Sequence, residues 1–83
     1  PDPLVRLVHD VKVDLAERLG VDVSTIDLVS SRAVDWPEAS LGCPEPGMTY
    51  AQVITPGYRL VLVASGVEYR YHTSGTGEFR ACE

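Results

Sequence analysis

The stretch Tyr58-Arg-Leu-Val-Leu-Val-Ala-Ser-Gly-Val-Glu-Tyr-Arg-Tyr-His72 decides how this chain folds. Two runs of period-two alternation flank Ser65-Gly66, a pair suited to closing a two-residue hairpin. Such a loop sets Leu62 opposite Tyr69 and Leu60 opposite Tyr71. Leu60, Leu62 and Ala64 then share one face with Val67, Tyr69 and Tyr71. Arg59, Val61, Val63, Glu68, Arg70 and His72 share the other. One apolar face and one mixed face are what a half-solvated antiparallel sheet presents.

The apolar face needs a cover, and the N-terminal segment supplies one. Asp2-Pro3 reads as an N-cap and a first-turn proline. Leu4, Leu7, Val8, Val11, Leu15 and Leu19 follow as a stripe at helical spacing. Gly20 ends this helix, with Val21 placed to fold back on it. Arg6/Asp10 and Asp14/Arg18 are i,i+4 pairs on its wet side. Val21 to Thr25 is a polar connector, and Ile26 to Trp36 is a strand of mixed pattern stopped by Pro37.

Tyr50 to Thr55 and Tyr58 to Ala64 flank Pro56-Gly57, which reads as a further hairpin turn. Ser74-Gly-Thr-Gly77 turns the chain back for a last strand ending near Cys82. The expectation is α+β: a single domain over residues 1–83, with one N-terminal helix packed on a four- to five-stranded antiparallel meander.

At 83 residues the core is near the lower limit for unaided folding, so covalent constraint matters. A composition 45% hydrophobic and 23% charged is a globular balance and argues against disorder. The net charge of −5, with seven basic residues scattered along the chain, argues against nucleic acid. Leu60 to Ala64 is the longest apolar run, too short to span a bilayer, so no membrane insertion is expected. Beginning at Pro1 without Met, the chain reads as a mature or trimmed product.

Cys43 and Cys82 are the only cysteines. Two distant thiols lack the ligand count for a structural zinc site and are no Cys-x-x-Cys pair, so a disulfide is the economical reading. The alternative is two buried, unpaired cysteines in a cytosolic protein. A bridge closing so long a loop contributes roughly 4 kcal/mol in the chain-entropy treatment. It also implies an oxidising, extracytoplasmic compartment.

Ser40-Leu-Gly-Cys-Pro-Glu-Pro-Gly-Met-Thr-Tyr50 is the chain's most constrained loop. Pro44, Pro46 and Gly47 restrict or specialise its backbone, and a bridge at Cys43 pins its base. Preorganisation of this kind lowers the entropy lost on binding, as in rigid protease-inhibitor loops. Leu41 and Met48 are the apolar side chains it has to offer. The bland reading is a proline-rich crossover with Leu41 and Met48 capping the core.

Trp36-Pro37, Leu41-Gly-Cys-Pro44, Gly47, Tyr50, Pro56-Gly-Tyr58, Tyr69, Tyr71-His-Thr73 and Cys82 resemble a pattern of small, uncharacterised bacterial extracytoplasmic domains. That resemblance implies a secreted or lipid-anchored domain and carries no activity with it. Gln52-Val-Ile-Thr-Pro-Gly-Tyr58 is similar to the Gln-Val-Val-Ala-Gly hairpin of cystatins, which enters the cleft of papain-like cysteine proteases. Here Thr55-Pro56 stands in place of the single alanine, and the N-terminal glycine trunk and late tryptophan are absent. Cys43-Pro44 with Met48-Thr-Tyr50 loosely resembles the reactive segment of Streptomyces subtilisin inhibitors.

No catalytic constellation emerges. His9 and His72 lack a visible nucleophile and orienter. Asp10 and Asp14 lie one helical turn apart, but Arg6 and Arg18 neutralise that face. Glu38 and Glu45 form no defined acid/base pair, and Gly42, Gly47, Gly75 and Gly77 form no phosphate-binding pattern. Trp36, Tyr50 and Tyr58 are candidates for an aromatic patch, though core aromatics are commoner.

The reading is a monomeric, non-enzymatic extracytoplasmic module without cofactor or metal that binds a protein partner, most concretely a protease. Its binding residues would be Leu41, Pro44, Pro46, Met48, Tyr50, Gln52, Pro56, Gly57 and Tyr58. The alternative is a structural accessory domain of a larger envelope or secreted protein.

Overall fold

The computed structural model describes residues 3–82. The N-cap expected of Asp2 lies outside them. Helix α1 (Pro3–Leu19) is followed by a 3-10 turn (Val23–Thr25) and strands β1 (Asp27–Trp36), β2 (Thr55–Ala64), β3 (Val67–Ser74) and β4 (Phe79–Cys82). The strands form one antiparallel meander in the order β1-β2-β3-β4.

The helix turns Leu7, Val11, Leu15 and Ala16 onto the sheet. There Val11, Leu15 and Ala16 join Ile26, Leu60, Leu62, Ala64 and Tyr71 in one core, with Val8, Leu28, Tyr58, Tyr69 and Phe79 packed around it. Leu60 and Leu62 are fully buried, each contributing about 1.5–3 kcal/mol relative to exposure. Gly20 takes φ +69, and the amides of Gly20 and Val21 both donate to the Ala16 carbonyl, so the chain leaves the helix through a glycine cap. On the wet side Asp14 accepts from Arg18 at 2.7 Å. That same carboxylate accepts from the buried Tyr71 hydroxyl at 2.7 Å, tying the helix to β3. Arg6 and Asp10 form no ion pair, because the one described salt bridge is Asp14–Arg18.

The Ser65-Gly66 hairpin has the expected register, with Leu62 opposite Tyr69 and Leu60 opposite Tyr71. Ser65 (φ 52) and Gly66 (φ 77) are both left-handed, the geometry whose twist matches flanking strands. In β1 the register slips by one residue between Leu28 and Ser30. This bulge at Val29 puts Leu28 and Ser31 on the helix side, and Ser30 and Arg32 on the other. It explains why no single alternation fits that strand.

Pro56-Gly57 does not form the expected turn. Strand β2 runs through both residues, pairing Pro56 with Asp35 and Gly57 with Val34, while residues 50–54 form no strand. The physical reason is twofold. Proline near a strand's start loses no needed ladder donor, and the Pro56 carbonyl still accepts from the Gly75 amide at 2.8 Å. At Gly57 the neighbouring backbone approaches so closely that a Cβ would lie 1.8 Å from the Thr73 carbonyl oxygen. The glycine serves close approach rather than a bend. Without that turn there is no cystatin-type first hairpin loop at residues 55–58. No helix among the described residues is long and apolar enough to cross a membrane.

Candidate functional site

Eighteen residues between β1 and β2 lack regular strand or helix, and their first half packs across the sheet face that the helix leaves uncovered. Trp36 anchors them. Its indole is buried, stacks on His72 with ring centroids 4.4 Å apart, and donates Nε1–H to the Thr73 carbonyl at 2.8 Å. Gly42 crosses directly over the indole: a Cβ there would lie 2.8 Å from the ring, and its φ of +72 also favours glycine. Leu41 is 2% exposed and Ser40 fully buried, so the segment enters as a structural plug. Of the two readings of Leu41, core capping is the one its burial matches.

The remaining contacts fix the loop from several directions. Cys43 is bonded to Cys82 on β4. The Ala39 amide donates to the Ala51 carbonyl at 3.0 Å, bringing the loop's two limbs together. Glu38 accepts from the Ser40 hydroxyl at 2.7 Å and from the Gln52 amide at 2.9 Å; these bonds hold its carboxyl below the usual range. Gln52 is therefore a strut between limbs. The Tyr50 hydroxyl accepts from the Glu45 amide at 3.0 Å and from Arg80 at 3.2 Å, with the guanidinium 5.1 Å from the ring centre. A turn closes Glu45 to Met48 through the Met48 amide.

What this framework presents is its tip. Pro44, Pro46 and Gly47 are exposed there, and Met48 is 59% exposed; Val53 and Ile54, 60% and 68% exposed, lie instead on the return limb between the Ala39–Ala51 bond and β2. Tyr50 is half-buried beneath Arg80. Gly57 is buried inside β2, and Tyr58 packs on the core from the helix side. The sequence-derived residues thus divide: Pro44, Pro46 and Met48 share an exposed tip, whereas Leu41, Gly57 and Tyr58 support the structure. Trp36, Tyr50 and Tyr58 do not gather into a patch, since Trp36 and Tyr58 lie on opposite faces of the sheet. Val53 and Ile54 lie in a stretch that the sequence reads as a strand, yet they form no strand and project their side chains to solvent.

His72 joins loop and sheet. Its Nδ1 lies 2.8 Å from the Leu41 carbonyl, which can only accept, so Nδ1 carries the hydrogen. Burial lowers the imidazole's pKa. The Leu41 carbonyl opposes this, and the positive charges of Arg59 and Arg70 reinforce it. No described carboxylate pairs with it. Above the unfolded-state pKa of about 6.5 the stabilisation from a neutral His72 is fully present. As pH falls through the depressed folded value it is lost, because the unfolded chain takes up the proton first. The denaturant midpoint should therefore decrease from pH 6.5 toward pH 5, above the main carboxylate range, and His72→Phe should flatten that segment. An unchanged slope in the variant would contradict this assignment.

The sulfurs of Cys43 and Cys82 and a His72 ring nitrogen lie within 4.8 Å of one another. With the sulfurs bonded to each other, neither is the thiolate a metal needs, so the oxidised domain has no ligand set here.

No curated protein and no solved structure matches the chain. Residues 8–82, which carry the helix from Val8 onward, the pinned loop and all four strands, match the model of the family described as Domain of unknown function (DUF8738), and the chain belongs to that family.

Proposed function

We propose that this is a non-enzymatic, extracytoplasmic bacterial module that binds a protein partner through the loop tip at residues 44–48, in its most concrete form by occupying a protease cleft. The observation that carries this reading is the pairing of exposed Met48 and its exposed neighbours Pro44, Pro46 and Gly47 with a base fixed by the Cys43–Cys82 bridge. A fixed base reduces the ordering entropy lost on association, so an ordinary contact area yields usable affinity. The bridge is compatible with an oxidising compartment, which supports the extracytoplasmic part.

The test is a panel of serine, cysteine and metalloproteases titrated with the intact, oxidised domain at micromolar concentration. The reading expects inhibition of one class, weakened at least about tenfold by Met48→Gly in a domain that keeps its fold. No inhibition in any class would remove the protease form. A second reading, an accessory domain within a larger envelope protein, draws support from β1, a ten-residue edge strand whose outer side has no described partner. Edges of this kind invite pairing with another chain or domain.

A further inference from the structure

The sheet face opposite the helix carries a second feature, independent of the loop tip. Strand pairing sets Arg32 opposite Arg59, Arg59 opposite His72, and His72 opposite Arg80. One row across all four strands therefore consists of three arginines and a histidine. Arg70 stands in the adjoining row, opposite Val61. Four of the seven basic residues of a chain with net charge −5 thus gather on one face.

The fold itself gains little from this row. Like charges directly opposite across strands are destabilising. No described carboxylate lies within 4.0 Å of any of these arginines, because the one described salt bridge is Asp14–Arg18 on the helix. Arg80 is occupied by Tyr50, and the Arg59 guanidinium sits 6.0 Å from the Trp36 ring centre. Arg32, Arg59 and Arg70 are exposed and, with Ser30, Val61 and His72, line a depression of about 410 Å³.

We propose that this depression is a docking site for a short acidic segment of a partner protein. Guanidinium forks match carboxylates geometrically, and cross-strand neighbours about 5 Å apart can converge on one of them. Charge also limits the length of the occupant. Asp27 and Glu68 flank Val63 in the next row of the same face. Glu68 is two residues from Arg70, about 7 Å along the strand, so a long polyanion tracking the sheet would run into carboxylates. The positive area accommodates about two or three acidic side chains, not a nucleic-acid backbone.

The probe is synthetic hexaglutamate, with hexaglutamine, inorganic phosphate and a short DNA duplex as comparators, titrated at low salt into the isotope-labelled, oxidised domain and followed by backbone NMR. Hexaglutamate should shift amides of residues 30–32, 59–61 and 70–72 and be displaced by salt. Arg32→Gln/Arg59→Gln should weaken it about tenfold, whereas Arg6→Gln/Lys12→Gln on the helix should not. The proposal is overturned if hexaglutamine binds equally well, if the paired arginine variant retains full affinity with its fold intact, or if shifts fall elsewhere. Tighter binding of phosphate or duplex than of the peptide also overturns it and assigns the face to a phosphate ligand. None of these outcomes bears on the loop tip, which uses different residues.

Discussion

Replacing both cysteines, as Cys43→Ala/Cys82→Ala, should cost roughly 4 kcal/mol of stability and lower the melting temperature by on the order of 20 °C. The size follows from the sequence separation of 39 between the bonded residues, which closes almost half the chain into one loop. Releasing it returns a large conformational entropy to the unfolded state. Against a total stability of about 5–15 kcal/mol for a domain of ordinary size, and less for a small one, this is a dominant share. The native state loses something as well: β4 is only four residues long, and Cys82 is its final described position. Thermal and urea unfolding of oxidised, reduced and double-variant protein provide the measurement. A change below about 1 kcal/mol would mean that the loop closes nearly as well without the bond.

Gly57→Ala should be the most damaging single substitution that adds only a methyl group. Its Cβ would meet the Thr73 carbonyl oxygen at 1.8 Å, the Thr73 carbonyl carbon at 2.7 Å and the Ser74 Cα at 2.9 Å. All three are backbone atoms, so no rotamer change relieves the contact; β2 and β3 must separate. That movement also disturbs the Thr73 carbonyl that receives the Trp36 indole hydrogen, and with it the loop's anchor. The expected loss is about 3 kcal/mol or more. Gly47→Ala is the control. It has φ +81 but nothing within 4 Å, so only the left-handed backbone opposes a side chain, at about 1–2 kcal/mol. Equal losses at the two positions, measured by denaturant unfolding, would refute the close-approach account.

The parts of this fold legible in the sequence were those set by local chemistry. Ser65-Gly66 imposes one loop length and so one register, which placed Leu60, Leu62 and Tyr71 in the core together. Gly20 at the end of an apolar stripe located the helix terminus. What sequence could not supply depended on neighbours distant in the chain. Pro56-Gly57 has turn chemistry by composition, yet its glycine answers the approach of Thr73 from another strand. The arginine face was half visible, since the hairpin register already put Arg59, Arg70 and His72 on one side. Arg32 joins them only through the Val29 bulge, which inverts the alternation of β1. For the loop, prolines and glycines announced constraint but not which residues plug and which project. Leu41 and Met48 are both apolar, and only Leu41 is 2% exposed.

Amide hydrogen exchange across the β1–β2 loop tests the central claim, that this loop is held in one conformation on the sheet. The amides of Ala39, Leu41 and Cys43 donate to Ala51, Glu38 and Ser40. In oxidised protein they should exchange at least roughly a hundredfold more slowly than in an unstructured chain, and approach the unstructured rate after reduction. Unprotected exchange in the oxidised protein, with the β2–β3 amides still protected, would contradict the account.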